Sequence, residues 1–256
     1  MIKLGLIGYP VSHSLSPKIQ NAALKACELE GEYSLYPIAP DDMLALKDLL
    51  DRVRSGEITG LNVTIPHKQN VIQFVDELTP TAKAIGAVNI IYLRGNKLIG
   101  DNTDAPGFLS DLKKFIGNRE LEFGKSAIVL GAGGSARAVV YALCNDNWNV
   151  TIAARRLEQA QRLASQFTTS SAVELNLQTF KPSNFQLIVP HHGVSQCRTW
   201  YDVCWWRKPE TSHRSTGKSW TRGTYSSSSA RTFRRRTAEG RHRPGHREKS
   251  IALFGG

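Results

Sequence analysis

Ala127-Ile-Val-Leu130 is a continuous apolar run that breaks directly into Gly131-Ala-Gly-Gly-Ser-Ala136. A strand apolar on both faces belongs inside a parallel sheet covered by helices. Parallel neighbours need long crossover connections, usually helical, so this one junction commits the region to strand–helix alternation. Gly131 permits a tight turn, Gly133 lets backbone N–H groups approach an anion, and Ala136 keeps the next helix close to the sheet. Ala132, Gly134 and Ser135 complete the loop. The G-x-G-x-x-A spacing between strand and helix reads as a dinucleotide site, with a plain strand–helix turn as the alternative.

The expected order from there is a helix through about Asn145, a strand over Asn149 to Ala154, and a helix over Leu157 to Phe167. Further strands are expected over Ala172 to Leu177 and Gln186 to Val189. Where an acidic residue would serve the ribose hydroxyls of NAD, the second strand ends in Ala153-Ala154-Arg155-Arg156. Two guanidinium groups suit a 2′-phosphate and so favour NADP. A pair of solvated arginines at a strand end is the plainer reading.

The first half alternates in the same way, with strands at Lys3 to Ile7, near Tyr33 to Pro37, and into Asn62. Helices are expected from Ser16-Pro17 to about Glu28 and from about Pro40 to Ser55, Ser16 serving as N-cap. A hairpin is expected around Arg94-Gly95-Asn96, then a loop Gly100 to Asp104 and a helix burying Leu109, Leu112 and Ile116. Asn62-Val-Thr-Ile-Pro-His-Lys68 ends its strand on two polar side chains, Asn62 and Thr64. Pro66 followed by Val71, Phe74, Val75 and Leu78 predicts a helix with Lys68 in its first turn. The macrodipole disfavours a cation there by about 0.3–1 kcal/mol. That misfit points to an ammonium kept for chemistry, against a solvated surface lysine; His67 reads as structural.

Charge separates body from tail. Residues 1–189 carry 19 Lys+Arg against 18 Asp+Glu, whereas 190–256 carry 14 against 4. The basic balance of the whole chain therefore describes its tail. Four cysteines without CxxC spacing make a disulfide framework or metal site unexpected. No secretory h-region or membrane-length apolar run is present, so a soluble cytoplasmic protein is expected.

The blocks Gly8 to Pro17, Asn62 to Lys68, Gly86-Ala-Val-Asn89, Gly100-Asp-Asn-Thr-Asp104 and Gly131 to Ala136 together resemble the shikimate dehydrogenase family, in family order and spacing. The resemblance covers about residues 1–189. It implies an α/β substrate domain over 1–104, a Rossmann-like NADP domain over 105–189, and NADPH-dependent reduction of 3-dehydroshikimate to shikimate in aromatic amino acid biosynthesis. It implies that Ser14 and Ser16 bind the substrate carboxylate and that Asn62, Thr64, Asn89 and Asp104 hold its ring hydroxyls. Lys68 and Asp104 would form the catalytic pair. Gly131 to Ala136, with Arg155 and Arg156, would hold the cofactor. Singly, Ser16 also fits a helix cap, Asp104 a cap for the helix near Pro106, and Asn89 a turn. Quinate-using relatives are the near alternative; Ser16 and the two arginines lean toward shikimate and NADP. A homodimer is compatible with this reading.

After Val189 the family pattern stops. Only four of the last 67 residues are Ile, Leu or Val, whereas 11 are Arg and four are Trp. Such a segment cannot bury enough apolar surface to offset its ordering entropy and is expected to be disordered. It resembles translation in a shifted reading frame, which would leave the NADP domain incomplete and activity impaired, reducing the chain to a shikimate-binding remnant. A basic nucleic-acid-binding appendage is the weaker alternative.

Overall fold

The computed structural model describes residues 1–117, 121, 124–175 and 185–190, together with the backbone of three short outlying strands. Two sheets organise them. The first contains β1 (Ile2–Gly8), β2 (Gly31–Pro37), β3 (Gly60–Val63), β4 (Glu77–Leu78), β5 (Ile90–Arg94) and β6 (Lys97–Asp101), in the order β2-β1-β3-β5-β6-β4. β1 is parallel to β2 and β3, while β5 runs antiparallel to β3 and forms the expected hairpin with β6. α1 (Ser16–Ala26), α2 (Met43–Arg54) and α3 (Pro80–Ile85) connect these strands. α2 turns Leu46, Leu49, Leu50 and Val53 inward at helical spacing against Ile7, Leu61, Val63 and Ile91.

The second sheet places β7 (Ser126–Leu130) between β8 (Asn149–Ala154) and β10 (Leu187–Pro190), with β9 (Ser170–Glu174) beyond β8, all parallel. Ala127, Ile128 and Val129 are buried, as a central parallel strand requires. α5 (Gly134–Asn145) and α6 (Leu157–Ala164) pack on it, and α4 (Asp104–Ile116) leads in from the first sheet. Ile85, Ala87 and Ala105 form a small buried cluster with Ala138 and Ala142 of α5, so the two units share a close joint of short side chains.

The tail, expected to be disordered, lies mostly outside the described residues. Three short strands that no sequence period announced occur within it: β11 (Trp205–Arg207), β12 (Trp220–Arg222) and β13 (Ser250–Ile251), β11 pairing antiparallel with β10. Among the described residues, no helix is long and apolar enough to cross a membrane. Nor does any group of three or more His, Cys, Asp or Glu stand ready to hold a metal ion.

Two local expectations are corrected. No α-helix starts at Pro66: residues 65–69 form a turn, Asn70–Phe74 is a 3-10 helix, and the chain re-enters the sheet at β4. Val71, Phe74, Val75 and Leu78 still face the core, through two short elements rather than one helix. The macrodipole argument for Lys68 therefore falls. Ser16 begins α1 but does not cap it: Leu15 holds the N-cap position without a side-chain capping bond, and the Ser16 N–H itself donates to Ser14 Oγ.

Candidate active site

Lys68 is held by its backbone before its side chain is considered. Val88 N–H donates to the Lys68 carbonyl at 2.7 Å, and Val63 N–H donates to the Asn89 carbonyl at 2.8 Å. These bonds tie the turn after β3 to the segment entering β5. Lys68 is only 3% exposed, and its Nζ lies 2.5 Å from Asp104 Oδ2, in a pair whose carboxylate is 15% exposed. Removing two charges from water is costly, and the pair persists only because each ion compensates the other and further hydrogen bonds satisfy them.

Those further bonds are present. Asn89 Nδ2 donates to Asp104 Oδ1 at 2.8 Å and to Thr103 Oγ1 at 3.1 Å, while Asn89 Oδ1 accepts from Thr103 N–H at 2.9 Å. Both carboxylate oxygens of Asp104 are thereby engaged, one by the ammonium and one by an amide. Asp104 does not cap α4. Asn102 Oδ1 accepts from the N–H groups of Asp104 and Ala105 at 3.1 and 3.3 Å, and Asn102 Nδ2 holds the Ala87 carbonyl. Buried Asn102 thus performs the capping role and leaves the Asp104 carboxylate for Lys68.

Lys68 also reaches the second sheet. Its Nζ donates to Ser135 Oγ at 3.3 Å, in the first turn of α5. Ser135, read from the sequence as part of the cofactor loop, therefore touches the buried ion pair. Arg137, one turn further along α5, donates from Nε to the Ile85 carbonyl at 2.8 Å and contacts Gln166. Burial depresses the pKa of its guanidinium.

A second cluster joins the loop after β1 to side chains of β2 and β3. Ser14 Oγ donates to Ser16 Oγ at 3.1 Å, and Ser16 N–H donates to Ser14 Oγ at 3.2 Å. Tyr33, buried on β2, donates to Asn62 Oδ1 at 2.9 Å. Thr64 is anchored by its N–H to the Ile7 carbonyl at 2.8 Å. Asn62 lies opposite Ile90, next to Asn89, so the ends of β3 and β5 set the two clusters side by side. His67 is fully buried with Nε2 2.7 Å from the Ile38 carbonyl, in keeping with a structural role.

The loop Gly131 to Ala136 fits a pyrophosphate. Gly131 has φ 111°, which side-chain-bearing residues avoid, and its N–H donates to the Ala153 carbonyl at 2.7 Å. No side chain caps α5, and its first turn holds no acidic residue, so its N–H groups and dipole are available to an anion. Arg155 and Arg156 are exposed, directly after the C-terminal end of β8 at Ala154.

An uncapped helix start after a glycine-rich loop, set against a buried lysine–carboxylate pair on an α/β scaffold, is the arrangement of the nicotinamide-dinucleotide dehydrogenase class. Profiles described as "Shikimate dehydrogenase substrate binding domain" and "Shikimate / quinate 5-dehydrogenase" match residues 6–91 and 116–183. The chain belongs to the shikimate dehydrogenase family: it is 38% identical over 194 residues to the shikimate dehydrogenase (NADP(+)) of Oceanobacillus iheyensis, covering 75% of this chain and 70% of the relative. The curated relatives are matched over 54–70% of their own length.

Two solved structures frame the comparison. The Thermus thermophilus shikimate 5-dehydrogenase in complex with NADP(H) and shikimate is 35% identical, with TM-score 0.64, over 75% of this chain and 69% of that one. The quinate dehydrogenase of Corynebacterium glutamicum in complex with NAD is 30% identical, with TM-score 0.60, over 68% and 64%.

Proposed function

We propose that the described residues form the site of an NADP-dependent shikimate dehydrogenase, reducing the ketone of 3-dehydroshikimate to the hydroxyl of shikimate. The observation that carries this reading is the buried Lys68–Asp104 pair in contact with Ser135 of the cofactor loop. In this reading residues 1–104 are the substrate domain and 105–189 the cofactor domain.

NADPH, held by Gly131 to Ala136 with Arg155 and Arg156, would supply a hydride. Lys68 stands to deliver a proton from Nζ to the carbonyl oxygen as charge develops there, and Asp104 stabilises the ammonium before transfer. In the reverse direction the pair accepts the hydroxyl proton. Asn89 fixes the carboxylate of Asp104 and leaves its second oxygen aimed at Lys68. Ser14 and Ser16 are suited to a carboxylate, and Asn62 and Thr64 to ring hydroxyls. Gly131 to Ala136 would take the pyrophosphate, and Arg155 and Arg156 the 2′-phosphate.

Both family profiles end before residue 190, and the sequence beyond it departs from the family. The supported function of the chain as written is accordingly substrate recognition with severely reduced turnover. NADPH oxidation dependent on 3-dehydroshikimate, compared between the chain and its Lys68→Ala variant, tests the activity, and calorimetry with shikimate tests recognition. A preference for quinate with NAD would favour the neighbouring reading. Turnover at the rate of a full-length relative, from mass-verified chain, would refute the impairment. The nucleotide sequence across codons 180–200 tests the shifted frame, which fails if no alternative frame restores apolar periodicity.

A further inference from the structure

Two hydrogen-bonded pairs lie beside the first sheet. In the loop after β1, Ser14 donates to Ser16 at 3.1 Å; between β2 and β3, Tyr33 donates to Asn62 Oδ1 at 2.9 Å. A phenol owns one proton, and giving it to the Asn62 carbonyl sets the orientation of the amide: Oδ1 faces Tyr33, and the Nδ2 protons are what Asn62 offers to a ligand.

We infer that Tyr33 is a positioning residue for substrate recognition, fixing which end of the Asn62 amide faces the site. The inference rests on the proposed substrate site. Tyr33 itself touches no ligand in this scheme; it acts through Asn62. Its placement is over-determined, as positioning requires. Its ring packs with Leu6 and Val11, and its backbone is clasped by Asn21, which accepts from Tyr33 N–H at 2.9 Å and donates to its carbonyl at 3.3 Å. A buried phenol needs a partner, and here the partner is a residue with work of its own. An asparagine free to flip would present either a carbonyl or an amide to a substrate hydroxyl, and only one suits a given contact.

Calorimetric titration of the full chain with shikimate tests this, using Tyr33→Phe, Asn62→Ala and the double variant, each checked for an unchanged unfolding transition. Tyr33→Phe keeps the ring and removes only the hydroxyl. Its affinity should fall about five- to tenfold, the worth of one well-placed neutral hydrogen bond. In the Asn62→Ala background the same change should have no further effect, because the group being positioned is gone. Unchanged affinity of Tyr33→Phe overturns the inference, and so does a loss that persists in the Asn62→Ala background. Failure of the unaltered chain to bind shikimate overturns the site reading itself, and this inference with it.

Discussion

Gly134 and Lys68 touch without room for a single added carbon. A Cβ built on Gly134 would lie 2.8 Å from Lys68 Cβ and 3.2 Å from its Cδ. The start of α5 is thus moulded to the stem of the buried lysine, and the loop's third glycine serves the ion pair as well as the proposed phosphate site. Gly134→Ala should remove most turnover and destabilise the fold by about 1–3 kcal/mol, since a Cβ near the backbone cannot swing aside as a side-chain tip can. Urea unfolding gives the stability change. Dinucleotide binding by fluorescence should survive better than turnover.

The Lys68–Asp104 pair yields an asymmetric prediction. Truncating one partner leaves the other charge buried and uncompensated, at a cost of about 3–5 kcal/mol. Lys68→Met or Asp104→Leu alone should therefore destabilise more than the two together. A double-mutant cycle by denaturant unfolding measures this. Additive losses would show that the two side chains do not depend on each other in the folded protein.

Much of this site was legible in the sequence, and the parts that were not share a cause. The Gly131 to Ala136 turn and the strands around it are local, so spacing alone located them. Asn62, Lys68, Asn89 and Asp104 were likewise expected at one site. The helix predicted after Pro66 is absent because a 3-10 turn and a short strand, both facing one core, bury residues at spacings that mimic a helix over a short window. Asn102 as the cap of α4 and Ser135 as a partner of Lys68 depend on contacts between segments far apart in the chain. Tyr33 does carry a local signal: it shares a face of β2 with Leu35, two residues on. A tyrosine so placed must find a polar partner in the interior.

Arg137 ties α5 to the last turn of α3 through the Ile85 carbonyl, where a cation also suits the helix C-terminus. Arg137→Met should cost about 1–3 kcal/mol by leaving a half-buried carbonyl unpaired. Arg137→Lys should recover only part of this, because a lysine lacks the fork that reaches Ile85 and Gln166 together. Thermal unfolding of the three chains provides the comparison; equal stability of the Lys variant and the unaltered chain would make charge alone sufficient.

Cofactor choice should reside in Arg155 and Arg156. Their exposure lets them be changed with little effect on folding. Each charge-assisted contact to a phosphate contributes about 1.5–3 kcal/mol, so Arg155→Ala or Arg156→Ala should weaken NADPH binding by roughly tenfold or more. NADH binding should hardly change. Fluorescence titration with both dinucleotides reads the difference, and parallel losses for both would place the arginines away from the 2′-phosphate.

Alkaline pH should reveal the burial of Tyr33. Removal from water raises the pKa of its phenol from 10.0 to about 12, and the nearby Ser16 hydroxyl offsets only part of that rise. The unfolded chain therefore releases this proton at lower pH than the folded one. Stability from this group is fully present below about pH 10 and is lost as pH climbs toward 12. The loss amounts to about 2–3 kcal/mol across that window. Tyr33→Phe has no proton to release, so its denaturation midpoint should decline less steeply over the same range. Equal slopes for the two chains would mean that the Tyr33 phenol ionises as readily in the folded state as in the unfolded chain.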